Sequence, residues 1–175
     1  MAQNSKRSPD KSLSNWSFNR RTQYSSFEAQ LVSGALGAEI SGIDISKRLS
    51  EEVVADLRQA LLDHLVIFFR DQNLGPAQQI AFSRRFGELD EHDFVKGMEG
   101  YPELIRLVRE ADEEGTNFGG VWHSDVTHME CPALGSVLYA LDVPPFGGDT
   151  LFANQYLAYE TVSYTHLRAH ETSRN

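Results

Sequence analysis

One cysteine, Cys131, stands in a chain of 175 residues. A lone thiol forms no intramolecular disulfide and builds no Cys-rich zinc module. Positive charge is also short, with 16 Lys plus Arg against 25 Asp plus Glu and a formal net charge of -9. Nucleic-acid phosphates and anionic lipid both need a positive surface, so neither is an expected partner. No apolar run approaches the roughly 18 residues of a membrane-spanning helix. The N-terminus lacks the apolar core of a secretory signal. No internal repeat recurs at a period of roughly 20–50 residues. Dinucleotide-binding GxGxxG, Walker and GxSxG signatures are absent as well. These absences leave a soluble protein of a reducing, cytoplasmic compartment. With 41% apolar and 23% charged residues, the chain has the composition of an ordinary globular domain.

Residues 1–26 are rich in Ser, Asn, Lys, Arg and Gln and poor in apolar positions. They read as a disordered extension whose basic residues are solvated rather than an arm for nucleic acid. The folded part is expected from Phe27. Ser50 reads as a helix N-cap, followed by Glu51 and Glu52 in the first turn and by Val54, Leu57, Leu61 and Leu65 at helical spacing. The run Leu65-Val66-Ile67-Phe68-Phe69 reads as a buried strand. Gly75-Pro76 opens a second helix carrying Gln79, Phe82 and Phe86, which is expected to stop at Gly87. Strand candidates follow at 104–108, 121–126, 136–141 and 149–152, and Asn154 reads as the cap of a last helix. Helices gathered early and short strands later predict an α+β fold with a mainly β core, a sandwich or barrel.

The chemistry concentrates in Trp122-His123-Ser124-Asp125. On a strand, residues i and i+2 share a face, so His123 and Asp125 would project together. An imidazole beside a carboxylate is two-thirds of a 2-His-1-carboxylate triad, a donor set for Fe(II) with open positions. The pattern alone is weak, because six histidines and 25 acidic residues in 175 make a chance His-x-acid pair common. His128-Met129-Glu130 is a second such pair, ranked lower because Pro132 interrupts a strand. A hydrogen-bonded structural histidine is the plain alternative for His123. His64, at a helix end, reads as structural. Trp122 reads as core or pocket wall, and Cys131 as a small inert hydrophobe.

Two blocks widen the context. WHSDVTHMECPALGSVLYALDVPPFGGDTLFANQYLAYE, and earlier GALGAEISGIDISKRLSEEVVADLRQALLDHLVIFFRDQ with RRFGEL, together resemble the TauD/TfdA family of Fe(II)- and 2-oxoglutarate-dependent dioxygenases. The resemblance covers about residues 31–163. It implies a double-stranded β-helix, the jelly roll of clavaminate synthase-like folds, with flanking helices and incomplete at the C-terminus. It implies that His123 and Asp125 bind Fe(II), that Thr150 contacts 2-oxoglutarate, and that His92 reaches the primary substrate. It also implies O2 as co-substrate, succinate and carbon dioxide as products, and hydroxylation as the reaction. Asp93-Phe94-Val95 and Asn117–Val121 depart from the taurine-binding pattern. The implied substrate is therefore a small anion: a sulfonate, sulfate ester or carboxylate.

The family's second iron-binding His and its 2-oxoglutarate Arg lie later than this chain extends. Residues 164–175 resemble a translated adaptor tail rather than the family's next helix, and His166 and His170 in it are read as accidental. The expectation is thus residues 27–163 as the N-terminal portion of the dioxygenase domain, inactive alone. Self-association of the full-length protein is open. Two other readings stay open on the residues themselves: a non-catalytic β-sandwich binding module and a zinc hydrolase using the same pair.

Overall fold

The computed structural model describes residues 21–92, 94–110, 112–115 and 119–162. Most of the expected extension, 1–20, and the expected tail, 164–175 with His166 and His170, lie outside them. The chain divides into two units, Met1–Ile43, Ser50–Asp71 and Phe146–Asn175 in the first, and Asp44–Leu49 and Gln72–Pro145 in the second.

The first unit is built on a three-stranded sheet in the order β1-β2-β3. β1 (Glu28–Leu31) pairs antiparallel with β2 (Ala38–Ser41), and β2 pairs parallel with β3 (Ile67–Phe69). The β1–β2 turn is set by Ser33, whose Oγ accepts from the amides of Ala35 and Leu36 and donates to the Leu36 carbonyl. Gly37 closes it at φ +88, where an added Cβ would stand 3.3 Å from the Phe68 ring. Only glycine meets both demands.

A parallel pair needs a crossover, and α1 (Glu51–His64) supplies it. Ser50 caps it as its residue type predicts, its Oγ accepting from Val53 N at 3.3 Å. The buried stripe is Val54, Leu57, Ala60 and His64, whereas Leu61 and Leu65 are half-buried. Full burial of Leu57 contributes about 1.5–3 kcal/mol. Leu65 does not start the strand. It ends the helix in the left-handed region at φ 67, with its N–H on Leu61 O at 2.8 Å. The chain then reverses, and the Gly37 N–H reaches the His64 carbonyl at 2.8 Å.

Residues 21–26 fall in the expected extension but pack in this unit, because Tyr24 and Phe27 bury their rings, stacked at 4.7 Å. The Tyr24 hydroxyl donates to Asp63 Oδ2 at 2.8 Å and stands 3.0 Å from His64 Nε2. A phenol has one proton. With that proton on the carboxylate, the oxygen accepts from His64 Nε2–H, which fixes the tautomer of a wholly buried histidine. Burial first, and the Asp63 carboxylate second, push the phenol's pKa well above its usual range. Asp56 anchors the same segment, accepting from Ser25 Oγ at 2.6 Å and Ser26 N at 3.1 Å. α3 (Gln155–Thr161) is capped by Asn154, as expected, through Leu157 N at 3.1 Å. The other half of that amide donates to Ala35 O at 2.8 Å.

In the second unit, α2 (Pro76–Ser83) begins at proline, with the Gln78 side chain folded back to accept from Gly75 N. It ends at Ser83 rather than at Gly87, and Ser83 Oγ bonds back to Gln79 O. Phe82 and Phe86 still meet edge to face at 5.3 Å. Tyr139 pins a distant segment here, donating to Gln72 O at 3.1 Å and accepting from Leu74 N at 3.2 Å.

The expected strands at 104–108, 121–126, 136–141 and 149–152 do not form among the described residues. Among the described residues the sheet is a small mixed one, accompanied by three helices. The physical reason is that β-propensity records a fit to a half-buried pleated surface, and a strand exists only when a neighbour completes its ladder. Here Leu107, Val121, Leu138, Leu141 and Leu151 remain exposed. Among the described residues, no helix is long and apolar enough to cross a membrane.

Two outcomes follow for stability. Tyr24→Phe is expected to destabilise the chain by about 1–3 kcal/mol in urea unfolding, because the buried His64 loses its acceptor. Asp56 is held below its usual carboxylate range by its bonds to Ser25 and Ser26. Its contribution is therefore present above about pH 4 and lost as pH falls through the lowered folded value. Asp56→Asn should flatten that part of the acid limb of unfolding measured against pH.

Candidate functional site

His123 and Asp125 come together, though not as expected. The segment is a series of bends rather than a strand, so alternation does not align them. A turn follows directly after the pair: Met129 N bonds Val126 O at 3.0 Å, and Val126 sits at φ 44. A β-branched residue in the left-handed region is strained, and such strain gathers at functional sites. Just before this turn His123 Nε2 stands 3.1 Å from Asp125 Oδ1.

Both ends of the pair are oriented. His123 Nδ1 lies 2.7 Å from the Val121 carbonyl. A carbonyl only accepts, so Nδ1 carries the proton and Nε2 holds the lone pair of the neutral ring. Asp125 Oδ2 accepts from Ser136 Oγ at 3.1 Å, leaving Oδ1 toward the imidazole. Gly119 backs the ring at φ +69, where a Cβ would lie 3.3 Å from His123 Cε1. The pair is half-exposed, so approach from solvent is open.

The donor set fits a divalent metal. At metal–ligand distances of roughly 2.1 Å, two donors at a right angle stand roughly 3 Å apart. Imidazole plus carboxylate with open positions is the composition that suits Fe(II). Among the described residues, no three His, Cys, Asp or Glu side chains converge. The second candidate pair differs: among the described residues, His128 and Glu130 form no ion pair, and both are exposed.

His92 lines a cavity of about 380 Å³ in the second unit with Glu91, Val95, Lys96 and Pro102. Its Nδ1 accepts from Phe94 N at 3.1 Å, so the neutral ring carries its proton on Nε2. Lys96 was not singled out by the sequence, since a lone lysine in a polar loop carries no signal. Thr150 lies in the first unit, exposed, on an unpaired segment between Gly148 and Asn154. Trp122 is 70% exposed and Cys131 is exposed, so neither is a core residue. Core was one of two readings for Trp122, because a sequence shows apolarity and not the presence of a covering layer.

The family described as "Taurine catabolism dioxygenase TauD, TfdA family" matches residues 28–174. An alkylsulfatase of Acinetobacter baylyi is 38% identical over 132 residues, which are 75% of this chain and 40% of that protein. An alpha-ketoglutarate-dependent sulfate ester dioxygenase of Pseudomonas putida is 35% identical over 132 residues, 75% of this chain and 42% of that protein. A solved taurine dioxygenase from Burkholderia xenovorans superposes with a TM-score of 0.68 at 38% identity, covering 82% of this chain and 50% of its own. The chain thus spans less than half the length of these two curated relatives.

Gly119→Ala tests the backing of the imidazole. A side chain at this backbone geometry costs about 1–2 kcal/mol and pushes on the His123 ring. The expected result is a changed tautomer balance of His123 in nitrogen-correlated NMR, because the Nδ1–H bond to Val121 is displaced. An unchanged His123 spectrum would show that the glycine does not hold the ring.

Proposed function

The chain belongs to the TauD/TfdA family, and on that premise we propose that it carries part of the active site of an Fe(II)- and 2-oxoglutarate-dependent dioxygenase acting on a small sulfate ester. The observation that carries this reading is the 3.1 Å approach of His123 Nε2 to Asp125 Oδ1, with the other ring nitrogen and the other carboxylate oxygen already committed. The same fact disfavours the bland reading of a structural histidine. An ion pair this exposed contributes only about 0–1 kcal/mol, too little to explain so many local devices around it.

His123 and Asp125 would hold the metal. Bound Fe(II) supplies the oxygen chemistry, in which O2 and 2-oxoglutarate are consumed, succinate and carbon dioxide are released and the substrate is hydroxylated. The chain's residues bind and orient. Thr150 offers an exposed hydroxyl to a carboxylate of 2-oxoglutarate. His92 offers Nε2–H, and Lys96 a charge, to an anionic head group in their shared cavity. A sulfate ester is preferred over taurine because two relatives, the alkylsulfatase and the sulfate ester dioxygenase, are named for sulfate ester chemistry. The incomplete jelly roll belongs to this reading too, supported by the taurine dioxygenase superposition. So does a cytoplasmic location, supported by the single free thiol.

On their own the 175 residues are read as catalytically silent, since two protein ligands hold Fe(II) weakly. Anaerobic equilibrium dialysis of the chain should detect weak Fe(II) binding that is lost in His123→Ala. Aerobic addition of 2-oxoglutarate and an alkyl sulfate should give no succinate above background. A chimera joining residues 21–162 to the remainder of the Pseudomonas putida relative should form succinate with that substrate, and His123→Ala should abolish it. Succinate formation surviving in the chimera's His123→Ala variant would overturn the assignment.

A further inference from the structure

We propose that Ser136 is a positioning residue for the metal pair, selecting which oxygen of Asp125 faces His123; the role rests on the reading of those two residues as ligands. Its Oγ donates to Asp125 Oδ2 at 3.1 Å. A carboxylate has two equivalent oxygens and turns freely about its last bond. Left alone, it offers a metal either oxygen or both. A donor on Oδ2 breaks that equivalence. Oδ1 is then the oxygen left at 3.1 Å from His123 Nε2, so the carboxylate serves as a single donor and spares a coordination position.

The contact is not a local turn. Ser136 lies 11 residues after Asp125, beyond the strained Val126 turn and Pro132. A serine suits the position because its hydroxyl hydrogen rotates to wherever the carboxylate oxygen stands. The residue is exposed, so its removal opens no cavity and orphans no buried group. Its effect belongs at the metal and not in the stability of the chain. Partners of ligating carboxylates act in this manner, and their loss typically weakens metal binding about 10–100-fold.

Mn(II) titration followed by electron paramagnetic resonance reads the pair without turnover. The 175-residue chain is compared with Ser136→Ala, Ser136→Thr and His123→Ala, with urea midpoints measured in parallel. Ser136→Ala should bind Mn(II) about tenfold more weakly at an unchanged midpoint. Ser136→Thr, which restores a hydroxyl, should recover the wild-type affinity, and His123→Ala should lose it. Wild-type affinity in Ser136→Ala, with binding lost in His123→Ala, overturns the role of Ser136 and leaves the ligand reading standing. Failure of Thr to restore what Ala loses also overturns it, because the loss is then one of shape. Equal behaviour of wild type and His123→Ala, including no binding by either, overturns the ligand reading and this role with it.

Discussion

Two acceptors cannot face one another at contact distance without a cation between them. His123 Nδ1 spends its proton on the Val121 carbonyl at 2.7 Å, so the neutral ring turns a lone pair toward Asp125 Oδ1 at 3.1 Å. A second ring proton or a metal ion resolves the conflict. The proton makes an imidazolium–carboxylate pair, half-exposed and worth little to stability. The metal converts the same two lone pairs into ligands at nearly the spacing already present. The local backbone makes sense as an arrangement that keeps this conflict in place: glycine behind the ring, a left-handed valine in the turn, and a hydroxyl on the far carboxylate oxygen.

The approach of His123 to Asp125 was expected from the sequence for a reason that differs from the one the structure gives. His-x-Asp suggests a strand, because alternation puts both side chains on one face. The same two residues also meet across a bend, and spacing alone does not separate the cases. The structure shows an irregular segment, flanked by Gly119 and Val126 in the left-handed region. Glycine hinted at the first. Nothing in the word valine predicts φ 44. Ser136 was invisible for a related reason, since a hydrogen bond across 11 residues leaves no local pattern.

The fold divides along the same line. Features governed by one or two turns of chain were legible: the caps at Ser50 and Asn154, proline opening α2, the short apolar run that contains β3. Features that need a distant partner were not. Leu65 looked like strand and is a helix cap, because the reversal that brings Gly37 to the His64 carbonyl must start there. His64 and Tyr24 read as a helix end and a tail residue. They share a buried hydrogen bond across 40 positions. The later strand candidates failed for want of ladder neighbours, not for want of β-forming residues.

Burial sharpens this contrast into a statement about the site. Every buried apolar side chain among the described residues lies between Tyr24 and Phe82. His123 and Asp125 lie beyond that stretch, among residues that are mostly exposed. Segments with few buried contacts sit at the low end of local stability, so packing does not hold His123 and Asp125 where they are. The hydrogen bonds from Nδ1 to Val121 and from Ser136 to Oδ2 must hold them instead. Each is worth about 1 kcal/mol net, which orders two side chains but does not rigidify a sheet. It follows that a cation at this pair would contribute to local order as well as be bound by it, since ligand geometry and chain conformation are then one equilibrium. In such a segment the donor atoms and the bonds that aim them are inseparable, and the chemistry of the site is written in its backbone turns rather than in its core.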